Sequence, residues 1–357
     1  MRLPKVKKIN TEKYMPGLGL FKRKPIGIKL SANECSLGPS PKAIREFNKE
    51  ARSLKRYPIN EGRLEKIIAK KFRLDPKKII LGSGSDQILE FICRIFLNKN
   101  DEVVLPKYSF IIYRIYSKIN GAKIRYAKED NFTISVDNIL SCVTKKTKIV
   151  FLANPNNPTG TYINKKKLTL LRKKLRSDIL LVVDDAYFEY VKKKNYSSGL
   201  NLFSKSKNVI TTRTFSKAYG LAGLRIGWGY GPKEIIQGLS QVKPPFNINR
   251  PALEAAAASL KDHKWLAKEI KHIKHWSKIL FKVFKKLKIE TNEGNGNFFL
   301  LKFDKVRISA ANVFKSLAKK GILLRKMDVY GIKNSLRVTI GTSKENKKLI
   351  SELKKLI

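Results

Sequence analysis

The sequence is poor in cysteine, histidine and acidic residues, and it has no long apolar run. Its three cysteines, Cys35, Cys93 and Cys142, have no CxxC spacing, so neither a disulfide framework nor a zinc site is predicted. The three histidines lie in one helical stretch without another type of ligand, and no metal site is expected. Because no stretch approaches the ~18 apolar residues of a membrane span and the first residues lack a secretory pattern, we expect a cytoplasmic protein.

Basic residues far outnumber acidic ones, since 76 Lys and Arg stand against 28 Asp and Glu and give a formal net charge of +48. A field of this sign attracts polyanions, which keeps a nucleic-acid-binding protein as one hypothesis. The basic residues run along the whole chain, however, and do not gather in a tail, a groove or a recognition helix. The charge therefore predicts solvated protein faces and no specific nucleic-acid partner.

Short apolar runs alternate with helical periods from about residue 41 onward. Several runs are apolar at every position, which is typical of strands that helices cover on both sides. This alternation favours an α/β protein with a largely parallel, doubly wound sheet. The runs that indicate strands lie at 77–81, 101–106, 148–155, 178–185, 208–214 and 225–231.

The organisation of the chain predicts two domains, because 357 residues are many for one ordinary core. Residues 1–40 are expected to form an N-terminal arm and part of a small domain, and residues 41–250 a large domain. One helix is predicted from Pro251, a residue well suited to the first turn, to about residue 287. With it, residues 251–357 would complete a small α+β domain.

A glycine-rich turn, LGSGSD, separates an apolar strand from an amphipathic helix. Free backbone N–H groups at the helix start, near Ser85 and Asp86, would bind a phosphate. An ordinary capped helix explains the same pattern equally well. The absence of GxxxxGK[ST] and GxGxxG gives no support to a nucleoside triphosphate site or to a dinucleotide fold.

Two acidic residues, Asp184 and Asp185, follow the apolar run of the sequence DILLVVDD. A carboxylate at the end of a buried strand is costly unless a cation or a ligand meets it, so one of the two is expected at the ligand-binding edge of the sheet. Tyr187 would reach the same crevice. The alternative is a helix N-cap, for which Asp is well suited.

The stretch NPNNPTG also follows a strand. Its prolines and asparagines indicate a rigid turn whose amide side chains, including that of Asn157, are free to point into a site. A purely structural turn is the alternative.

Lys217 stands among small and apolar residues, whereas the other lysines are scattered over the chain. An ammonium group in a desolvated pocket loses basicity and becomes a nucleophile for carbonyl carbon. Thr214, Ser216 and Arg225 would share a phosphate with the glycine-rich turn. An aldehyde, a phosphate and a cationic ring nitrogen facing Asp184 together describe pyridoxal 5′-phosphate.

At this point the chain resembles a known family, the fold type I aminotransferases that depend on pyridoxal 5′-phosphate, and most closely the histidinol-phosphate aminotransferases. The resemblance runs nearly end to end, through SANECSLGPSP, RYP, GSGSD, PKYSF, PNNPTG, VVDDAYFEY, TFSKAYGLAGLRIG, GILLR and LRVTIGT. It implies a large domain with a mostly parallel seven-stranded sheet covered by helices, plus a smaller α+β domain. It also implies a homodimer with shared active sites.

The resemblance implies that Lys217 binds the aldehyde covalently and moves a proton, that Asp184 pairs with the ring nitrogen, and that Tyr187 is the third catalytic residue. Tyr187 and Asn157 would contact the ring hydroxyl, and Tyr108 would stack on the ring. The phosphate contacts that it implies are Ser85, Asp86, Thr214, Ser216 and Arg225, with Tyr57 from a second subunit.

The resemblance also implies that Arg325 and Arg337 bind the carboxylate or phosphate of a substrate, with Tyr14 as a further phosphate contact and Asn157 beside them. The implied reaction is transamination between L-histidinol phosphate and 2-oxoglutarate in histidine biosynthesis. Two alternatives on the same fold are an aminotransferase for aromatic or other amino acids and a lyase similar to threonine-phosphate decarboxylases. Two segments depart from the family pattern, INEGRLEK after RYP and the short MDVYGIKNS, and both bear on the substrate.

Overall fold

The computed structural model describes residues 9–15, 20–21, 24–25, 27–59 and 62–357. The twelve α-helices in this part of the chain are α1 Pro41–Ala51, α2 Arg63–Phe72, α3 Ser85–Phe96, α4 Ile111–Ile119, α5 Val136–Ser141, α6 Lys165–Lys174, α7 Gly199–Phe203, α8 Lys233–Gln241, α9 Arg250–Lys261, α10 His263–Lys286, α11 Ala310–Lys319 and α12 Ser343–Leu356. Short 3-10 helices lie at Pro76–Lys78, Phe188–Tyr190, Ala222–Leu224 and Asp328–Tyr330. Of the segment INEGRLEK, the residues 60–61 lie outside the described part.

The strands are β1 Leu20–Phe21, β2 Lys24–Pro25, β3 Ile28–Lys29, β4 Ile79–Gly82, β5 Glu102–Pro106, β6 Lys123–Ala127, β7 Glu129–Asp130, β8 Thr133–Ile134, β9 Thr147–Ala153, β10 Leu180–Asp184, β11 Val209–Thr214, β12 Gly227–Tyr230, β13 Phe298–Lys302, β14 Ile322–Leu323, β15 Arg325–Lys326 and β16 Ser335–Thr339. Seven of them form the main sheet in the order β4-β12-β11-β10-β9-β5-β6. Strand β12 is antiparallel to both neighbours, and the other pairings are parallel. The mostly parallel seven-stranded sheet is therefore confirmed.

Strand β6, at the edge of this sheet, is the one that the apolar runs did not indicate. Its sequence KIRYA leaves Lys123, Arg125 and Tyr126 exposed, and only Ala127 is buried. By contrast, every residue of the central strand β10 is buried, because helices cover both of its faces. An edge strand with polar, exposed side chains lacks the continuous apolar run by which buried strands are found.

The smaller part of the fold consists of an antiparallel sheet, β13-β16-β15, and a parallel pair of β3 with β14. Helices α11 and α12 and the C-terminal half of α10 pack on it through a core that includes Phe284, Leu317 and Leu349. Strand β3 belongs to the N-terminal arm, so the arm and the C-terminal residues meet in space as the sequence predicted. The domain boundaries themselves stay a prediction.

The prediction of one helix from Pro251 to about residue 287 is wrong in one respect, because the helix is interrupted at Asp262 and forms α9 and α10. The backbone of Asp262 leaves helical geometry (φ −92°, ψ 71°), and its side chain accepts a hydrogen bond from the Trp265 N–H at 3.3 Å. An aspartate that caps the next helix in this way competes with continuation of the previous one. Without a Gly or a Pro at the break, the helical pattern alone did not reveal it.

None of the helices in the described part of the chain has the length and the apolar character that a membrane span requires. No group of three or more His, Cys, Asp or Glu side chains in the same residues could hold a metal ion. Of the histidines, His272 places Nε2 at 2.9 Å from the carbonyl oxygen of Gly341, which makes it a contact between α10 and the loop after β16.

Candidate active site

A cavity of about 550 Å³ opens at the carboxyl ends of the parallel strands, where the large sheet meets the smaller sheet. This is the edge at which α/β folds bind ligands. Of the residues that the sequence predicted for the site, only Tyr57 and Tyr108 do not line the cavity. Those that do are Tyr14, Ser85, Asp86, Asn157, Asp184, Tyr187, Thr214, Ser216, Lys217, Arg225, Arg325 and Arg337.

Lys217 lies in the loop that follows β11, and the packing of this loop brings its side chain into the cavity. Gly220 has φ +72°, and a Cβ there would lie 2.4 Å from the carbonyl carbon of Gly38, so only glycine permits this close approach. The half-buried Lys217 side chain donates a hydrogen bond from Nζ to the carbonyl oxygen of Ala32 at 3.3 Å. The amine therefore has a backbone carbonyl, and no carboxylate, as its hydrogen-bond partner.

Burial in the first place, together with the positive charge of Arg337, lowers the pKa of Lys217 to about 8. Glu34 and Asp184 act in the opposite direction, but they do not outweigh the loss of solvation. At pH 7 about a tenth of an amine with this pKa is unprotonated, which is roughly two hundred times the fraction for a solvated lysine. An unprotonated amine is the form that attacks an aldehyde carbon.

This pKa predicts how fast the cofactor-free protein takes up an aldehyde at Lys217. Below a pKa of about 8, the neutral fraction rises about tenfold per pH unit, and above it the fraction levels off. The rate of covalent incorporation of pyridoxal 5′-phosphate, trapped with borohydride and located by peptide mapping, should follow the same curve. A rate that keeps rising toward pH 10, as for a solvated lysine, would contradict the assignment.

The Arg337→Ala variant is the matched control for this pH profile. It removes the second cause of the shift and leaves the lysine buried. The pKa of Lys217 should then rise, and the plateau of the incorporation rate should move to higher pH. An unchanged plateau would mean that the charge of Arg337 does not act on the amine.

An anion site, made by Ser85, Asp86, Ser216 and Arg225, lies at the start of α3. The helix begins at Ser85 after Gly84 (φ +81°), and no side chain caps its first N–H groups. Arg225 places Nη2 at 2.8 Å from Asp86 Oδ1, and its Nη1 donates to Ser216 Oγ at 3.3 Å. The left-handed φ of Gly84 favours glycine, and a Cβ there would lie 2.3 Å from Arg225 Nη2 and would displace the guanidinium. Uncapped N–H groups and a guanidinium around one space suit a phosphate.

Asp184 ends strand β10 inside the cavity and is only 5% exposed. Its Oδ2 accepts a hydrogen bond from the Tyr113 hydroxyl at 2.7 Å, and its Oδ1 accepts one from the Ala186 N–H at 3.2 Å. Burial raises the pKa of this carboxyl group, and no Lys or Arg among the described residues forms an ion pair with it. A protonated ring nitrogen would supply the missing cation.

Asp185 lies at the same strand end, but its side chain is buried among other residues of the protein interior. Its carboxylate accepts a hydrogen bond from Ser198 and lies 4.0 Å from the guanidinium of Arg213, which is itself buried. Asp185 does not line the cavity. The tertiary structure thus decides between the two carboxylates that the sequence left open.

A buried polar network connects Tyr187 and Arg337 to residues of the arm and of the turn at Asn157. The Tyr187 hydroxyl accepts a hydrogen bond from Asn33 Nδ2 at 3.0 Å. Arg337 donates from Nη1 to Asn157 Oδ1 at 2.5 Å and from Nη2 to the carbonyl oxygen of Ser31 at 3.0 Å. These contacts place Asn157, Tyr187 and Arg337 at one end of the cavity.

Arg325 and Tyr14 lie nearer the mouth of the cavity. Arg325 donates from Nη2 to the carbonyl oxygen of Met15 at 2.5 Å, so the arm and the smaller sheet meet there. The Tyr14 side chain is 42% exposed and lines the opening. Both residues are therefore in reach of a ligand that enters from solvent.

Tyr108, which is predicted to stack on the cofactor ring, is not among the residues that line the cavity, and the stacking stays a prediction. Its ring packs 5.4 Å from Phe132, against the small cluster formed by Leu300 and Met327. Phe110, two residues later, lines the cavity instead. The direction of the chain before α4 turns Phe110 inward, and the motif PKYSF did not reveal which ring faces the site.

Besides Phe110, the cavity is lined by residues to which the sequence assigned no role, among them Asn33, Tyr113 and Tyr330. Tyr113 lies on α4, Tyr330 lies in the 3-10 helix Asp328–Tyr330, and Asn33 belongs to the motif SANECSLGPSP. Each reaches the cavity through packing between elements that are distant in sequence. A tyrosine on the buried face of a helix was the one available signal, since buried hydroxyl groups need a partner.

The comparisons with known proteins agree with this geometry. The model of the aminotransferase class I and II family matches residues 25–353. The chain belongs to that family. It is 49% identical over 356 residues to the histidinol-phosphate aminotransferase of Pelagibacter ubique, covering 99% of both proteins, and 41% identical over 332 residues to that of Paramagnetospirillum magneticum, covering 92% of both.

A solved structure gives independent support for the fold of this aminotransferase. The histidinol-phosphate aminotransferase of Sinorhizobium meliloti in complex with pyridoxal 5′-phosphate has a TM-score of 0.86 at 23% identity, covering 94% of this chain and 92% of that one. This likeness confirms the fold type I architecture. The family depends on pyridoxal 5′-phosphate, so the cofactor prediction is also confirmed. Nothing in these comparisons indicates nucleic-acid binding.

Proposed function

We propose that this aminotransferase transfers the amino group of L-histidinol phosphate to 2-oxoglutarate, a reaction of histidine biosynthesis. Two relatives that match it at 49% and 41% identity over nearly their full lengths are named histidinol-phosphate aminotransferases. This substrate requires a site that holds its amino group near the cofactor and binds its phosphate elsewhere in the same cavity. The cavity contains Lys217 at the first of these positions and Arg337 at the second.

The single observation that supports this substrate class best is the state of Arg337. Its side chain is 6% exposed, it donates only to Asn157 and Ser31, and its Nε has no hydrogen-bond partner. No carboxylate of the described residues forms an ion pair with it. A buried guanidinium without a counterion is costly, and an anionic group of the substrate would compensate its charge. Arg337 would therefore bind the phosphate or carboxylate group of a substrate.

Two features of the cavity fit pyridoxal 5′-phosphate. The carboxylate of Asp184 has no cation beside it among the described residues, and the anion site at the start of α3 suits a phosphate. Ser85, Ser216 and Arg225 would hold the phosphate, and Asp184 would keep the proton on the ring nitrogen. When bound, the cofactor supplies an electron sink that makes the α-hydrogen of an amine acidic.

Lys217 would be the nucleophile toward the aldehyde and, once released, the base that carries the α-proton. Its pKa of about 8 suits both tasks near neutral pH. Tyr187 and Asn157 would orient the ring by hydrogen bonds to its hydroxyl group. Arg337 would fix the other end of the substrate, so that its α-carbon faces the amine.

The test compares L-histidinol phosphate with L-histidinol, which differs only by the phosphate. Arg337→Ala should lower kcat/KM for the phosphorylated donor by about ten- to a hundredfold, because charge-assisted hydrogen bonds are lost. With histidinol the loss should be much smaller. Steady-state kinetics on both donors, with 2-oxoglutarate in excess, measure the ratio.

Arg337→Lys is the matched control, since it keeps the charge and loses the bidentate geometry, and it should show an intermediate effect. Equal losses for both donors would assign Arg337 a structural role and sink the phosphate proposal. Six aromatic side chains line the cavity, so phenylalanine belongs in the assay; they are Tyr14, Phe110, Tyr113, Tyr116, Tyr187 and Tyr330. A preference for phenylalanine in the native enzyme would favour the aromatic-donor alternative.

We also propose a homodimer in which Tyr57 contacts the phosphate in the neighbouring subunit. Tyr57 is 74% exposed and stacks on Phe246 at 4.6 Å, and Leu54 and Ile59 are exposed beside it in sequence. Large exposed apolar side chains of this kind are typical of protein interfaces. The cytoplasmic location stays a prediction.

A further inference from the structure

We propose that Glu269, on helix α10, is a positioning residue for the active site, which it holds through residues 31–37. This inference rests on the proposed function, because its effect is on that reaction. Glu269 does not line the cavity and contacts none of the residues assigned to cofactor or substrate.

The surroundings of Glu269 are unusual for a carboxylate. The residue has no exposed surface, and no Lys or Arg of the described part pairs with it. Its oxygens accept hydrogen bonds from the backbone N–H of Ser36 at 3.4 Å, the N–H of Leu37 at 3.2 Å and the hydroxyl of Tyr190 at 3.4 Å. A buried carboxylate that gathers backbone donors from another segment fixes that segment, since each donor would otherwise be left unsatisfied.

Residues 31–37, which Glu269 holds, contact the active site at three points. The carbonyl oxygen of Ser31 accepts from Arg337, and that of Ala32 accepts from Lys217 Nζ. Asn33 donates to the Tyr187 hydroxyl. Three consecutive residues of this segment therefore contact Lys217, Arg337 and Tyr187.

A second connection runs through Tyr190. It lies in the 3-10 helix Phe188–Tyr190, directly after Tyr187, so Glu269 also holds the end of the loop that presents Tyr187. Helix α10 itself spans the two parts of the fold, and the carboxylate thus ties one long helix to both walls of the cavity. A displacement of about 1 Å at such a site is enough to cost a large part of the rate.

Glu102 offers a matched control, because it is also a buried carboxylate but lies at the opposite edge of the sheet. It is 4% exposed, begins strand β5, and pairs with Arg125 at 2.9 Å and with the Thr144 hydroxyl at 2.6 Å. It has no contact with residues 31–37. Glu102→Gln therefore reports what the loss of a buried carboxylate does to stability alone.

The experiment uses Glu269→Ala, Glu269→Gln and Glu269→Asp of the full chain. Hydrogen–deuterium exchange of the cofactor-free proteins should show exchange at residues 30–40 at least about tenfold faster in the Ala and Gln variants, with partial protection restored by Asp. In the holoenzymes, kcat/KM for histidinol phosphate should fall by about ten- to a hundredfold, again with partial rescue by Asp. Glu102→Gln should lower the midpoint of thermal unfolding, and it should change neither the exchange at residues 30–40 nor kcat/KM.

The inference is overturned if exchange at residues 30–40 and kcat/KM in the Glu269 variants match those of Glu102→Gln. If Glu269→Ala does not fold, the Gln and Asp variants decide by the same comparison. The exchange measurement needs neither cofactor nor substrate, so it stands even if the native enzyme does not accept histidinol phosphate. Failure of the proposed function would appear in the native enzyme, whereas failure of this inference appears only in the variants.

Discussion

Lys217→Ala is expected to lower the transamination rate by about 10³-fold or more, because it removes both the nucleophile for the aldehyde and the base for the α-proton. The anion site around Arg225 does not include Lys217, so the variant should still bind pyridoxal 5′-phosphate without a covalent bond. Borohydride should then fix no cofactor to the chain. Single-turnover kinetics and peptide mapping after borohydride treatment measure both effects.

A suitable control for this experiment is Lys107→Ala, which removes an exposed lysine at the same edge of the sheet. It should leave the rate and the covalent labelling at Lys217 unchanged. If Lys217→Ala retained a rate close to that of the control, another group would have to move the α-proton. If borohydride labelled a different lysine in the native enzyme, the assignment of the active site would be wrong.

Asp184→Asn should slow the removal of the α-proton by about 10²- to 10³-fold and leave the cofactor bound. The carboxylate is buried at the cavity wall, where a negative charge acts strongly on a ring nitrogen. An amide in its place cannot hold the proton on that nitrogen, so the electron sink weakens. Stopped-flow measurement of the half-reaction with histidinol phosphate, together with the dissociation constant of the cofactor, separates the rate from the binding.

Asp185→Asn is the control that the neighbouring position offers. Asp185 is equally buried, but it pairs with Ser198 and Arg213 outside the cavity. Its replacement should lower the thermal midpoint, because Arg213 loses its counterion, and should leave the half-reaction rate near that of the native enzyme. Similar rates for Asp184→Asn and the native enzyme would count against the pairing of Asp184 with the ring nitrogen.

Much of the site was predictable because its chemistry needs particular residue types in particular places. Lys217 was predicted from its small and apolar sequence neighbours. In the structure the Lys217 amine is removed from solvent, and this burial lowers its pKa. The glycine-rich turn before Ser85 likewise indicated an anion site, and the start of α3 has uncapped N–H groups there. Both signals are local, since the lysine with its neighbours and the N–H groups of the helix start each lie within one short segment.

The predictions that failed or stayed open concern directions in space. Tyr108 and Phe110 are two residues apart, and only the packing of the loop before α4 decides which ring enters the cavity. The interruption at Asp262 depends on the Asp262 side chain, which caps the N-terminus of α10. Glu269 gave no signal at all, because its partners at positions 36, 37 and 190 are remote in sequence.

The class of fold and the cofactor followed from the sequence, which also predicts Lys217 as the reactive lysine, because alternating apolar runs and short motifs encode local geometry and chemistry. Only the tertiary structure showed that Asp184 and not Asp185 faces the cavity, that Phe110 and not Tyr108 lines it, and that Arg337 lies buried without a counterion among the described residues. Burial and pairing are properties of contacts between distant segments. They come into existence only when the sheet, the arm and the smaller domain pack together.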